Sequence, residues 1–231
     1  VSFLVDDIEI VGPPFGSVPG DDWVPDLDGF VPGGAINPRL SQVATARAVA
    51  GATSTAALTF DDGPNGAATT ELLDFLEDND VVATFCVIGQ NVTAPGGAAL
   101  LQRIVADGHA LCNHGSTYAD MGSWTKAQVE TDLKANLAII RDALGDPEAE
   151  VPYFRAPNGS WGQTAPVAVA LGMQPLAVTN TIADWETQVE ATLTTNLRAS
   201  MKNGEIVLVP DGGGADRSGS IAATNTVVAE R

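Results

Sequence analysis

The run Thr59-Phe60-Asp61-Asp62-Gly63-Pro64 sets two adjacent carboxylates at the end of an apolar stretch, Ala56 to Phe60, immediately before a Gly-Pro breaker. An α/β protein carries its chemistry at such a place, where a strand ends and a loop begins. Neighbouring residues on a strand point to opposite sides, so Asp61 and Asp62 can take different tasks, one binding a cation and the other handling a proton. Taken alone, Asp-Asp-Gly-Pro is also ordinary turn chemistry. The residues downstream decide between the two.

Several of those residues also fall where strands end. Cys112-Asn113-His114 closes one strand, and His114 is one of only two histidines in the chain. A carboxylate and a histidine brought to one face are the beginning of a divalent-cation site. His109 sits at the start of the same strand, hence at its opposite end, and reads as structural. Arg155 ends the next strand; it either orders a catalytic carboxylate by a bidentate bond or pairs on the surface. Asp184-Trp185 follows the fifth strand. Trp124, Trp161 and Trp185 lie in loops after strands, where indole faces either stack on sugar rings or pack the top of the fold closed. Gly212-Gly213-Gly214 is followed by no Lys-Ser/Thr pair, so it reads as a turn and not as a phosphate loop.

The elements that must position these groups are a series of β-α units. Apolar strands are expected near 57–61, 81–88, 109–113, 151–155, 175–179 and 205–209, alternating with helices. Val129, Leu133, Leu137, Ile140 and Leu144 share one face of a helix over 125–144, with Thr125 and Gln128 as its capping box and Gly145 as its stop. Val189, Leu193, Leu197 and Met201 mark another, and a last helix covers 217–230. Six successive units imply a parallel sheet with helices outside, open or closed as a barrel. Residues 3–10 read as an isolated strand, and 12–35 have the proline, glycine and aspartate of a linker or an arm lying on the domain. This divides the chain into 1–35 and a main domain over 36–231.

Eleven basic against 29 acidic residues, a net charge of −18, argue against nucleic acid or an anionic membrane as partner. No stretch reaches the ~18 apolar residues of a membrane span. Val1-Ser2-Phe3 reads as the start of a mature or excised chain. Cys86 and Cys112 fit no metal or redox motif; on consecutive strands they either form one disulfide or pack as two buried thiols.

These segments, in this order, resemble the polysaccharide deacetylases, the family 4 carbohydrate esterases, over about residues 55–230. The resemblance implies a distorted parallel (β/α) barrel that removes acetyl groups from xylan, chitin or peptidoglycan with a divalent metal ion. That ion would be zinc, with cobalt or nickel as alternatives. It implies Asp61 as general base, Asp62 and His114 as metal ligands, Arg155 as the residue that orients the base, and Asp184 in the catalytic set. Trp124, Trp161, Trp185 and Tyr118 would contact the substrate. The family pattern is broken at three places: Tyr118 stands where a second histidine is usual, Pro210 where a histidine precedes Asp211, and Thr181 where many members have an aspartate. The metal triad is thereby reduced to Asp62 and His114, and the usual general acid is missing. Phe3 to Ile10 is similar to the closing strand of carbohydrate-binding modules of multidomain xylanases. The expectation is a secreted, monomeric domain of a larger plant-cell-wall enzyme, acting on acetylated xylan sooner than on chitin.

Overall fold

The computed structural model describes residues 8–9, 23–34, 48–49, 56–214 and 216–230. The expected strand over 3–10 and the boundary at 35–36 lie outside these residues, except that Ile8–Glu9 (β1) pairs antiparallel with Ala48–Val49 (β2). Six further strands form one parallel sheet: β3 (Ala57–Gly63), β4 (Thr84–Val87), β5 (Ala110–Asn113), β6 (Tyr153–Phe154), β7 (Gln174–Pro175) and β8 (Ile206–Pro210), in the order β7-β6-β5-β4-β3-β8. Helices α1 (Gly66–Asp78), α3 (Gly97–Ala106), α4 (Lys126–Leu144), α5 (Thr164–Ala170), α6 (Glu190–Ser200) and α7 (Ser218–Ala229) connect or follow the strands, and a single turn α2 (Gly89–Val92) follows β4.

The sheet curls towards closure. The chain beyond β7 reaches β8, where Thr181 bridges Leu208 in parallel and the Leu208 N–H donates to the Asn180 carbonyl at 2.9 Å. The result is the distorted parallel barrel that the family resemblance implied, where the order of units alone allowed an open or a closed sheet. Strands β6 and β7 are shorter than the sequence suggests because Pro152 and Pro175 cannot donate to a ladder.

Central strands are buried on both faces, which explains their near-continuous apolar runs. Leu58, Phe60, Phe85, Leu111 and Val207 pack with Leu72, Leu76, Leu101, Leu133 and Leu137 of the helices in one core. Helix α4 begins and ends as its sequence dictates: the Gln128 N–H donates to Thr125 Oγ1, the Thr125 N–H donates to Gln128 Oε1, and Gly145 closes it at φ 67°.

Residues 23–34 are an ordered arm on α4. Trp23 Nε1 and the Asp26 N–H donate to the two carboxylate oxygens of Glu130, and Arg141 donates to the carbonyls of Val31 and Pro32. Gly33 continues the docking by donating to Leu171 O and accepting from the Val151 N–H.

Cys86 and Cys112 stand in register on β4 and β5 and form a disulfide. It closes a loop of 26 residues, so loop entropy gives a stabilisation of roughly 3–4 kcal/mol. Thiol counting on the denatured, unreduced chain is expected to find none free, and reduction to lower stability by about that amount; two titratable thiols would overturn the assignment.

Candidate active site

The carboxyl ends of the strands meet in one cleft of about 820 Å³, whose walls include Asp61, Asp62, His114, Tyr118, Trp185 and Pro210. Asp61 lies on the regular part of β3, paired with Cys86, but Asp62 does not follow the alternation expected of a strand. The β3–β4 register slips between Asp61 and Gly63, and Asp62 has the left-handed φ of 72°. This bulge turns its side chain back, so both carboxylates face one imidazole. His114 Nε2 is 3.6 Å from Asp61 Oδ2 and 3.5 Å from Asp62 Oδ1.

The other ring nitrogen fixes the ring. His114 Nδ1 is 2.7 Å from the Arg155 carbonyl, which can only accept, so Nδ1 carries hydrogen and Nε2 is the nitrogen turned towards the aspartates. The turn that carries His114 is anchored from below. Asn113 donates to Leu133 O, and its side-chain oxygen accepts from Asn136 Nδ2 and the Gly115 N–H. Burial opposes charge on the His114 ring, but Asp61 and Asp62 outweigh it and lift its pKa above the ordinary imidazole value.

Arg155 is wholly buried beneath this pair. Its Nη1 donates to Asp61 Oδ1 at 2.6 Å and to Thr59 Oγ1 at 2.8 Å, and its Nη2 donates to the Ala177 carbonyl at 3.1 Å. The contact with Asp61 is made by one nitrogen, not by a bidentate fork. It occupies Oδ1 and leaves Oδ2 on the side of His114.

A cation bonded at ~2.1 Å to two tetrahedral ligands holds the ligand atoms ~3.4 Å apart. The 3.5 Å between Asp62 Oδ1 and His114 Nε2 matches that edge. These two residues therefore fit a divalent cation, although among the described residues no cluster of three or more His, Cys, Asp or Glu is gathered for one. Tyr118, at the position of the absent histidine, is committed elsewhere. Its hydroxyl accepts from Asn91 Nδ2 at 2.7 Å and lies 3.3 Å from the Asp62 carbonyl. Burial, joined by the Asp62 charge, pushes its pKa up, so it remains a neutral phenol and a weak ligand.

The remaining expected residues part company. Trp185 is 62% exposed at the cleft. Trp124 and Trp161 are outside the cleft; both pack on the core, Trp161 edge-on to Phe154 at 6.1 Å. Asp184 borders the cleft, but its carboxylate has no exposed surface: Oδ2 accepts from Ser220 Oγ at 2.6 Å and from Arg217 Nη1 at 2.9 Å. Burial raises its pKa against the pull of those two partners.

Sequence reasoning missed Asn91 and Arg217, and it placed Asp211 at a strand end without giving it a role. The first two act through backbone carbonyls, which carry no residue signature. Asp211 follows Pro210 at the end of β8 and is fully buried under Gly63, where Thr69 Oγ1 donates to its Oδ2 at 2.6 Å. Burial, with Asp62 and Asp61 nearby, pushes its pKa up to about 7.

Residues 48–176 match the family model described as polysaccharide deacetylase. The chain is 37% identical over 157 residues to a chitooligosaccharide deacetylase of Sinorhizobium fredii, covering 67% of this chain and 71% of that protein. It is 35% identical over 156 residues to a bifunctional xylanase/deacetylase of Pseudobutyrivibrio xylanivorans, covering 67% of this chain and 25% of that longer protein. Among solved structures, the Xyl-CE4 domain of a multidomain xylanase from the hindgut metagenome of Trinervitermes trinervoides superposes with a TM-score of 0.66 at 28% identity, covering 76% of this chain and 81% of that one.

Proposed function

Because the chain belongs to the polysaccharide deacetylase family, we propose that it hydrolyses O-acetyl esters of a polysaccharide, acetylated xylan before chitin. The reading includes a secreted domain of a larger xylan-degrading chain, in keeping with the xylanase-linked relatives. One observation carries it. The cleft floor holds a buried carboxylate steadied by Arg155 beside His114 Nε2, while Pro210, a residue without an ionisable side chain, lines the wall.

Asp61 takes a proton from water at Oδ2, while Arg155 keeps Oδ1 engaged and so fixes the direction of the free lone pairs. Asp62 and His114 would hold the divalent cation, zinc with cobalt or nickel as alternatives, which supplies Lewis-acid polarisation of the acetyl carbonyl. Trp185 offers an exposed indole face beside the cleft for a sugar ring, with Tyr118 on the cleft wall beside Asp62.

The leaving group is the ground for preferring the ester. An amine must be protonated as it departs, because an amide anion is too basic to be expelled. A sugar alkoxide is less basic and leaves with help from water. General-acid assistance is worth ~10²–10⁴ in rate, and its absence at Pro210 falls mostly on the amide. Acetate release from acetylated xylan is therefore expected to exceed that from chitooligosaccharides at equal acetyl concentration by about 10², and to stop on chelation. Equal or faster release from chitooligosaccharides would overturn the ester preference. Binding of xylan with no acetate from either substrate would identify a catalytically dead fold that binds polysaccharide.

A further inference from the structure

Asp62 is held in a backbone conformation that non-glycine residues rarely adopt, so its surroundings must impose it. On one side its carbonyl accepts from Asn91 Nδ2 at 2.7 Å. On the other side stands the loop Gly212–Gly214. A Cβ on Gly212 would overlap the Asp62 carbonyl, and one on Gly213 would come within 2.5 Å of Asp62 Oδ2. Gly212 and Gly213 therefore serve close approach: Gly212 backs the Asp62 carbonyl and Gly213 its carboxylate, whereas Gly214 faces Arg217.

A run of three glycines has no side chains of its own and the largest conformational freedom a chain can have. Arg217 holds it. Its Nε donates to the Gly212 carbonyl at 2.6 Å, its Nη2 to the Gly213 carbonyl, and its Nη1 to Asp184 Oδ2 at 2.9 Å. Asp184 is fixed in turn by Ser220 Oγ. All three guanidinium nitrogens are used, in a planar fork that an ammonium cannot reproduce. The Arg217 side chain is also only 11% exposed, so its contacts compete little with water.

We propose that Arg217 is a positioning residue for the cation site: anchored on Asp184, it pins Gly212 and Gly213 and thereby holds the Asp62 carboxylate in place beside His114. The inference rests on the reading that Asp62 and His114 bind a divalent cation. It assigns no chemistry to Arg217 itself, and it gives the buried Asp184 the part of an anchor.

Zinc titration by calorimetry on chelator-treated protein tests it without reference to turnover. Arg217→Met is expected to weaken zinc binding about tenfold or more, as loss of outer-shell support does. Arg217→Lys keeps the charge that pairs with Asp184 but loses the fork. It is expected to fold like the wild type in thermal melts of the metal-free protein and still to bind zinc more weakly. Because the lysine variant preserves the ion pair, it decides the matter if the methionine variant fails to fold. Acetate release at saturating zinc is expected to recover more fully than at limiting zinc, since the defect is in holding the ion. Wild-type zinc affinity in Arg217→Lys would overturn the proposal, as would a wild-type protein that binds no zinc. A wild-type protein that binds zinc but releases no acetate would remove the proposed function while leaving this inference to be judged by the affinities alone.

Discussion

Arg155→Met is expected to destabilise the protein by about 3–5 kcal/mol, the usual cost of removing one partner from a buried ion pair. Methionine fills much of the arginine's volume, so the loss is not chiefly one of packing. It leaves the Asp61 carboxyl in a nearly solvent-free position with its Oδ1 unpaired, and it takes the guanidinium donor from the Ala177 carbonyl and from Thr59 Oγ1, which keeps its own bond to Val207 O. Against a total stability of ~5–15 kcal/mol, that is a large fraction. Activity should fall further than stability, because Asp61 loses the contact that aims Oδ2; a misplacement of ~1 Å at a reacting group costs ~10²-fold. Urea denaturation and acetate release on the same preparation check both halves. A variant within 1 kcal/mol of the wild type would show that water replaces the guanidinium, and the account of Arg155 would fail.

Asp211→Asn is expected to stabilise the protein at pH 8 and to do little near pH 4. The Asp211 carboxyl has its pKa pushed up to about 7 from 3.8, first by burial and then by Asp62 and Asp61. Between those values the unfolded chain has released this proton while the folded chain still holds it. The native state binds more protons, so stability falls as pH rises from about 4 to about 7 and stays reduced above that. A shift of this size corresponds to roughly 4 kcal/mol at 1.36 kcal/mol per unit. Asparagine has no proton to lose, and its carboxamide oxygen accepts from Thr69 Oγ1 as the carboxyl oxygen does. The difference between variant and wild type cancels the other titrating groups. Urea midpoints at pH 4.5 and pH 8 measure it, and a difference that does not grow with pH would show that Asp211 is ionised throughout.

The parts of this site that were legible in the sequence are those encoded locally. Thr59 to Pro64 announces a strand end with two carboxylates because strand, carboxylates and breaker are contiguous. The capping box of α4 was legible for the same reason; consecutive strands made Cys86 and Cys112 neighbours but left the bond open against two packed thiols, and the structure shows the bond. Alternation along β3 misleads at Asp62, since a bulge is a property of two strands in register and not of either alone. The tryptophans show a related limit. Their loops were placed, but which loop face meets the core depends on helices far away in sequence, and Trp124 and Trp161 turned inward. Gly212 and Gly213 read as part of a turn because their partner, Asp62, stands about 150 residues earlier. Arg217 gave no signal at all: its acceptors are two backbone carbonyls and one buried carboxylate, gathered only by folding.

The near-closure of the sheet has a mechanical consequence. Between β8 and the chain after β7 there is one bridge and one hydrogen bond, whereas β3 is laddered to β4 and β8 along most of its length. Val178, Thr181 and Leu208 at this thin seam are also cleft-lining residues. The cleft thus has a stiff floor, where the carboxylates and the imidazole sit, and one compliant side. The seam is therefore the side at which the cleft can yield with the least loss of ladder.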